Sequence, residues 1–189
     1  TLSTRPPRIA LITTGGTIAG SANSATELSN YSAGRLAAAD LLGAVPQLAA
    51  LADIRSEQLF SLDSKDIGPA HWLILLRRVQ ALVDHDGVAG VVSTHGTDTL
   101  AETACLLHIT LTTAKPVVMT AAMRPASALS ADGPLNLFQA VQLASRPAAG
   151  RAGVLAVLGD RILPATQLSK RHPSAVDAFS SSATLTIEE

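Results

Sequence analysis

Cysteine occurs once in the 189 residues, so no intrachain disulfide can form, and that single thiol does not choose between reducing and oxidising compartments. Cys105 stands in the apolar run Ala104-Cys105-Leu106-Leu107, where a buried inert thiol is the expected state rather than a nucleophile. Aromatic residues are nearly as scarce: Tyr31, Phe60, Trp72, Phe138 and Phe179 are too few and too scattered to build a base-stacking platform. Charge is sparse at 15% and nearly balanced, 14 Lys+Arg against 15 Asp+Glu, with no basic block. A phosphate-reading surface needs clustered cations to displace counterions, so nucleic acid is not an expected partner. No apolar stretch approaches the ~20 residues that a membrane span requires. The histidines His71, His85, His108 and His172 lack metal-ligand spacing, and neither a metal nor any other cofactor is expected. The chain opens on Thr1 without a hydrophobic leader, so a signal peptide is expected to have been removed or never present. The expected compartment is the cytoplasm, with the periplasm left open.

What the chain does have is apolar content, 47% of residues. A domain of this length buries about 70% of the surface its unfolded chain exposes, enough for a core without disulfides or metals. The apolar residues are ordered in alternating patterns. Ile9 to Thr13 is a short β-branched run ending at Gly15-Gly16, as in a strand buried on both faces. Ile54–Leu62, Val88–Ser93, Pro116–Thr120 and Val154–Leu158 repeat that form. Between them, Trp72, Leu75, Leu76, Val79, Leu82 and Val83 recur at helical spacing within Pro69–Asp84. Ala39–Val45, Leu100–Leu107 and Leu135–Ala144 are read as further helices, the last opened by Pro134. Strand–helix alternation predicts an α/β fold, a doubly wound, mostly parallel sheet with helices on both faces. The whole of 1–189 is expected to form one domain.

In such sheets ligands bind beyond the carboxyl ends of the strands. The loops there are Thr14–Gly20, Asp63–Asp66, Thr94–Thr99 and Ala121–Gly133. Thr14-Gly-Gly-Thr-Ile-Ala-Gly20 lacks the Lys of a P-loop and the spacing of a dinucleotide fingerprint. It fits either a tight strand exit with satisfied hydroxyls or a ligand loop with close backbone approach. The stretch Ser21–Gly34 after it, which contains Tyr31, is polar and aperiodic, as expected of a long mobile loop. Thr94-His-Gly-Thr-Asp-Thr99 precedes a helix, where its side chains could cap exposed N–H groups or, with them, hold a carboxylate or oxyanion. His95, a lone His beside Gly, is expected to be a structural hydrogen-bonder rather than an acid or base.

Taken together, Thr14–Gly20, Thr94–Thr99 with Glu102-Thr103-Ala104, and Ala122-Met-Arg-Pro125 through Ser130-Ala-Asp-Gly-Pro134 resemble the bacterial-type L-asparaginase and glutaminase-asparaginase family. Val45-Pro-Gln-Leu48 and Lys115-Pro-Val-Val-Met119 extend the resemblance, which runs from about Ile9 to about Phe179. It implies an amidohydrolase that converts L-asparagine to L-aspartate and ammonia through a threonine acyl-enzyme. Thr17 matches the nucleophile and Tyr31 the group that takes its proton, on a loop that closes over substrate. Thr97, Asp98 and Lys170 match a second catalytic set, in which Lys170 relays protons with Thr97 and Asp98 orients it. By its own surroundings, Ser169-Lys-Arg-His172, Lys170 would be a solvated charge. Asp98 is further implied in holding the substrate α-ammonium, Ser64 the α-carboxylate, and backbone N–H groups near Thr97 in polarising the scissile carbonyl. Alternatives remain: a glutaminase-asparaginase, one methylene apart in substrate, or a non-catalytic amino-acid-binding or oligomerisation module that retains the motifs.

Two features depart from the family pattern. Lys65 stands where Gln or Glu helps bind the amino-acid end of the substrate. A cation 4 Å from an ammonium is repelled by about 4 kcal/mol at an effective dielectric of 20. Lys65 is therefore expected to swing to solvent, pair with the substrate carboxylate or alter preference. The chain also ends at Glu189, so the family's smaller carboxy-terminal domain is expected to be absent, and with it the acidic residue that a neighbouring subunit lends to each site. The isolated chain is expected to turn over slowly or not at all. A homotetramer is the assembly implied for the full-length form.

Overall fold

The computed structural model describes residues 5–22, 24–27, 34 and 36–182. Its centre is a six-stranded sheet in the order β2-β1-β3-β4-β5-β6. The strands are β1 (Arg8–Gly15), β2 (Asp53–Leu62), β3 (Gly90–Thr94), β4 (Val117–Thr120), β5 (Val154–Leu158) and β6 (Arg161–Pro164). The first five run parallel, and β6 returns antiparallel to β5 at one edge. Strands β3, β4 and β5 are buried along their whole length and β1 nearly so, as expected of sheet interiors covered on both faces. β2 forms the other edge and is mostly half-buried or exposed.

The helices are α1 (Ala38–Gly43), α2 (Leu48–Leu51), α3 (Pro69–Val83), α4 (Leu100–Thr110) and α5 (Gly133–Ala144). Residues alternate between the two sides of a parallel strand. Ile12, Val91 and Met119 accordingly pack with Leu75 and Val79 of α3 and Leu100 and Leu107 of α4. Leu11, Val92 and Val118 face the other way, onto Leu41, Leu48 and Leu137 of α1, α2 and α5. The expected fold, helices on both faces of a mostly parallel sheet, is what the chain adopts. No helix among the described residues is long and apolar enough to cross a membrane.

Boundaries shift in places. β3 begins at Gly90 rather than Val88, because the Val88 N–H turns back to the His85 carbonyl in the turn that leaves α3. α4 continues three residues beyond Leu107. The short helix α2, the edge strand β6 and a two-residue hairpin, β7 (Ser169–Lys170) with β8 (Phe179–Ser180), carry too little periodicity to be read from sequence.

The order places the topological switch between β1 and β3. From β1 the chain steps outward to β2, then crosses back through α3 to β3 on the opposite side. The loops leaving β1 and β3 therefore diverge and open a crevice at the carboxyl ends of these strands.

Candidate functional site

Two glycines shape the exit from β1. Gly15 has φ 105°, and Gly16 has φ 79° and ψ −174°, a region only glycine occupies readily. A Cβ on Gly16 would lie 2.4 Å from the Gly96 Cα, so the β1 and β3 exit loops touch backbone to backbone. Gly16 N–H donates to the Leu62 carbonyl at 2.9 Å, which joins the end of β2 to the same junction. Immediately after, a single 3₁₀ turn, Thr17–Ala19, buries Thr17 at the crevice floor.

The end of β2 is pinned in turn. Asp63 caps the short turn Ser64–Asp66 by accepting from the Lys65 N–H. Ser64, 1% exposed, accepts the Asp98 N–H on its Oγ at 3.1 Å, and its carbonyl accepts the Thr99 hydroxyl at 2.8 Å. Gly96 leaves space for it: a Cβ there would meet Ser64 Oγ at 2.5 Å.

Lys170 reaches the same place from far along the chain. It lies on β7, which pairs with β8 through Lys170 and Phe179, and Phe179 is buried in the core beside Ala178. That anchor holds the hairpin over the exit of β3. Lys170 Nζ donates to Thr97 Oγ1 at 2.9 Å and to Asp98 Oδ1 at 2.7 Å. Its side chain is 21% exposed while that of Asp98 is 55% exposed, so the ion pair straddles the mouth of the crevice.

These residues enclose one cavity of about 230 Å³. Thr17, Ser64, Thr97, Asp98 and Lys170 all line it, so five of the seven residues singled out from sequence converge. Gly16, Gly96, Asp63, Met123 and Pro173 complete the lining and were not singled out. Met123 stood within a recognised motif; Pro173 carried no signal at all. Lys65 does not line the cavity. Its ammonium lies 3.2 Å from the Asp63 carboxylate, its side chain is 66% exposed, and Asp63 raises its pKa above the ordinary lysine value. Tyr31 lies outside the described residues. The volume suits a ligand smaller than a drug-sized molecule, and the lining offers hydroxyls, a carboxylate and an ammonium, groups that can hold a small polar ligand and pass a proton.

The loop after β4 buttresses the cavity wall. Asp132 accepts the N–H groups of Met123 and Arg124, each at 2.9 Å, and Asn136 bridges from α5 to the Ala121 carbonyl at 2.9 Å. From this loop Ala126 N–H reaches the Gly20 carbonyl, and Ser127 Oγ accepts Ala22 N–H, so it also secures the segment that follows Thr17. His95 lies beneath the cavity, fully buried, with burial lowering its pKa below the ordinary imidazole value. Its ring nitrogens meet the Gly96 carbonyl and the Thr103 hydroxyl, the hydrogen bonding expected of it. Among the described residues no group of three or more His, Cys, Asp or Glu side chains could hold a metal ion.

A family model described as asparaginase, N-terminal, matches residues 8–189. L-asparaginase 2 of Escherichia coli strain K12 is 43% identical over 175 residues, 93% of this chain and 49% of that protein. The glutaminase-asparaginase of Acinetobacter glutaminasificans is 44% identical over 162 residues, 86% of this chain and 49% of that one. Among solved structures, a probable cytoplasmic L-asparaginase from Campylobacter jejuni superposes with a TM-score of 0.90 at 46% identity, covering 93% of this chain and 53% of that chain. The chain thus spans about half the length of the curated relatives it matches.

Proposed function

We propose, from the premise that this chain belongs to the asparaginase family through its amino-terminal domain, that it carries the nucleophile and proton-relay half of an enzyme hydrolysing L-asparagine to L-aspartate and ammonia. The observation that carries the reading is Lys170 Nζ set between Thr97 Oγ1 and Asp98 Oδ1 on the cavity that Thr17 also lines. A carboxylate and a hydroxyl held by one lysine at a half-open crevice, with a second hydroxyl on the same cavity, are what proton transfer in acyl chemistry requires.

In this proposal Thr17 Oγ1 attacks the side-chain amide carbon of the substrate. Its proton passes through Tyr31 to the departing nitrogen, which leaves as ammonia, and an ester remains on Thr17. Water then adds to the ester carbonyl. Thr97 accepts a proton from that water while the Thr97–Lys170 pair passes one on, and Asp98 keeps Nζ aimed at Thr97. Collapse of the adduct returns a proton to Thr17 and releases aspartate. Ser64 binds the α-carboxylate and Asp98 the α-ammonium, which selects a free amino acid. Lys65 is proposed to act at the cavity rim through Asp63 rather than on substrate directly.

The similarity to a glutaminase-asparaginase supports glutamine as a second substrate, since one methylene changes discrimination by only ~1–3 kcal/mol. A homotetrameric assembly of the full-length form and a cytoplasmic location belong to the same proposal, the latter supported by the neighbour described as probably cytoplasmic. The test is ammonia release from L-asparagine and L-glutamine by the protein at its natural full length. Thr17→Ala is expected to lower kcat at least about 10³-fold. Aspartate binding by a wild-type protein that releases no ammonia would make this a binding module instead.

A further inference from the structure

Beneath the cavity three polar side chains form a continuous chain that the proposed reaction does not use. Trp72 Nε1–H of α3 donates to Thr103 Oγ1 of α4 at 2.9 Å; Thr103 Oγ1 lies 3.1 Å from His95 Nε2; His95 Nδ1 lies 2.7 Å from the Gly96 carbonyl oxygen. His95 and Thr103 are fully buried. A carbonyl oxygen only accepts, so Nδ1 must carry the ring proton. In a neutral ring Nε2 is then the acceptor, the Thr103 hydroxyl donates to it, and a lone pair of the same hydroxyl receives the indole N–H. Each donor and acceptor has one consistent assignment. Burial, which holds the His95 pKa down against the raising effects of the Gly96 carbonyl and Glu102, keeps the ring neutral and the order intact.

The end of this chain is a peptide plane of the site. In a trans peptide the C=O and the following N–H point in opposite directions. With the Gly96 oxygen drawn down to the imidazole, the Thr97 N–H on the same plane turns the other way, toward the cavity that Gly96 and Thr97 line. The flanking groups are tied separately, His95 N–H to the Thr120 carbonyl at 2.9 Å and Asp98 N–H to Ser64 Oγ at 3.1 Å. Between those ties sits a glycine, whose backbone rotates most freely. If this plane flipped, the Gly96 oxygen would face the cavity and set a partial negative charge where an oxyanion must form.

We propose that Trp72, Thr103 and His95 are a positioning relay that locks the Gly96–Thr97 peptide plane and so aims the Thr97 N–H at the substrate carbonyl oxygen. The inference rests on the acyl-transfer reading above. None of the three side chains touches substrate. Their contribution is to preorganise a dipole that is most valuable when charge develops on the carbonyl oxygen, so they act on kcat more than on substrate affinity.

The experiment pairs steady-state ammonia release by the full-length protein with ¹⁵N NMR of the His95 ring. The wild-type ring is expected to be neutral and protonated on Nδ1. His95→Ala is expected to lower kcat at least about tenfold with KM within about threefold. His95→Asn, whose amide nitrogen can stand near the Nδ1 position, is expected to recover most of that loss. Thr103→Val should fall between wild type and His95→Ala, and Thr103→Ser should restore it. A wild-type ring protonated on Nε2 would overturn the relay, as would a His95→Ala enzyme within twofold of wild-type kcat. Should His95→Ala fail to fold, the wild-type ring spectrum and the Thr103→Val and Thr103→Ser pair decide the matter. Because the spectrum needs no turnover, a wild-type protein that released no ammonia would remove the acyl-transfer reading while the relay stood or fell on the tautomer.

Discussion

Alanine placed at two glycines of this chain should have opposite effects. At Gly16 the substitution meets two penalties. Its φ of 79° and ψ of −174° lie where a side chain costs about 1–3 kcal/mol. The new Cβ would also stand 2.4 Å from Gly96 Cα and 2.5 Å from Gly96 N, both backbone atoms that cannot rotate away. Forcing such a contact apart costs a further ~1–3 kcal/mol. We therefore expect Gly16→Ala to destabilise by about 4 kcal/mol. At about 2–4 °C per kcal/mol for a domain of this size, Tm falls by about 8–16 °C. Gly43, the last residue of α1, has nothing within 4 Å of a built Cβ and no positive φ. There alanine removes only unfolded-state freedom and should stabilise by about 0.5–1 kcal/mol. Differential scanning calorimetry of both variants, with ammonia release measured below the transition, separates stability from site geometry. Gly16→Ala should lose most activity even where folded, because it parts the loops of Thr17 and Thr97. A Gly16→Ala protein with Tm within 2 °C of wild type and full activity would refute the claim that backbone contact between these loops builds the site.

The remaining expectations concern charge and the cavity wall. His95 binds a proton less readily folded than unfolded, so its contribution to stability is present above about pH 6.5 and is lost as pH falls below that value; urea unfolding at several pH values should show a shallower acid limb in His95→Gln than in wild type, and equal limbs would discount the burial effect. Asp132→Ala leaves the Met123 and Arg124 N–H groups without their acceptor and should cost about 2–4 kcal/mol. Faster amide hydrogen exchange at those two positions than at α5 is the accompanying signature. Lys65→Gln should alter kcat/KM for asparagine by no more than about threefold, because Lys65 itself does not line the cavity and is paired with Asp63 at its rim; a larger change would return Lys65 to direct substrate contact.

How much of this was legible beforehand differed residue by residue. The helix around Leu75 and Val79 and the strands around Leu11 and Val92 declared themselves because burial on one stripe or on both faces imposes a period. Thr17, Thr97 and Asp98 stood in long motifs, so their shared cavity followed once strand order brought the loops together. Lys170 was different: its neighbours Arg171 and His172 are exposed, as a solvated charge run would be, and only its place in a family pattern raised it above them. What brings it to Thr97 is the burial of Phe179 one strand away, a contact without local periodicity. Trp72 read as one more apolar residue of an amphipathic helix, and nothing in its spacing announced a hydrogen bond to Thr103, 31 residues later.

The sequence by itself determined the layer order, the strand-exit loops and the kinds of side chain gathered there, because alternation, turn residues and motif spacing are local properties of the chain. Tertiary structure alone decided that β1 and β3 flank the crevice, that Lys170 turns to Thr97, and that the Trp72 indole, the Thr103 hydroxyl and the buried His95 imidazole join in one hydrogen-bonded chain. Lys170 reaches Thr97 at 2.9 Å and Asp98 at 2.7 Å across more than seventy residues once the sheet has closed, and distances of that kind are set by packing rather than by order along the chain.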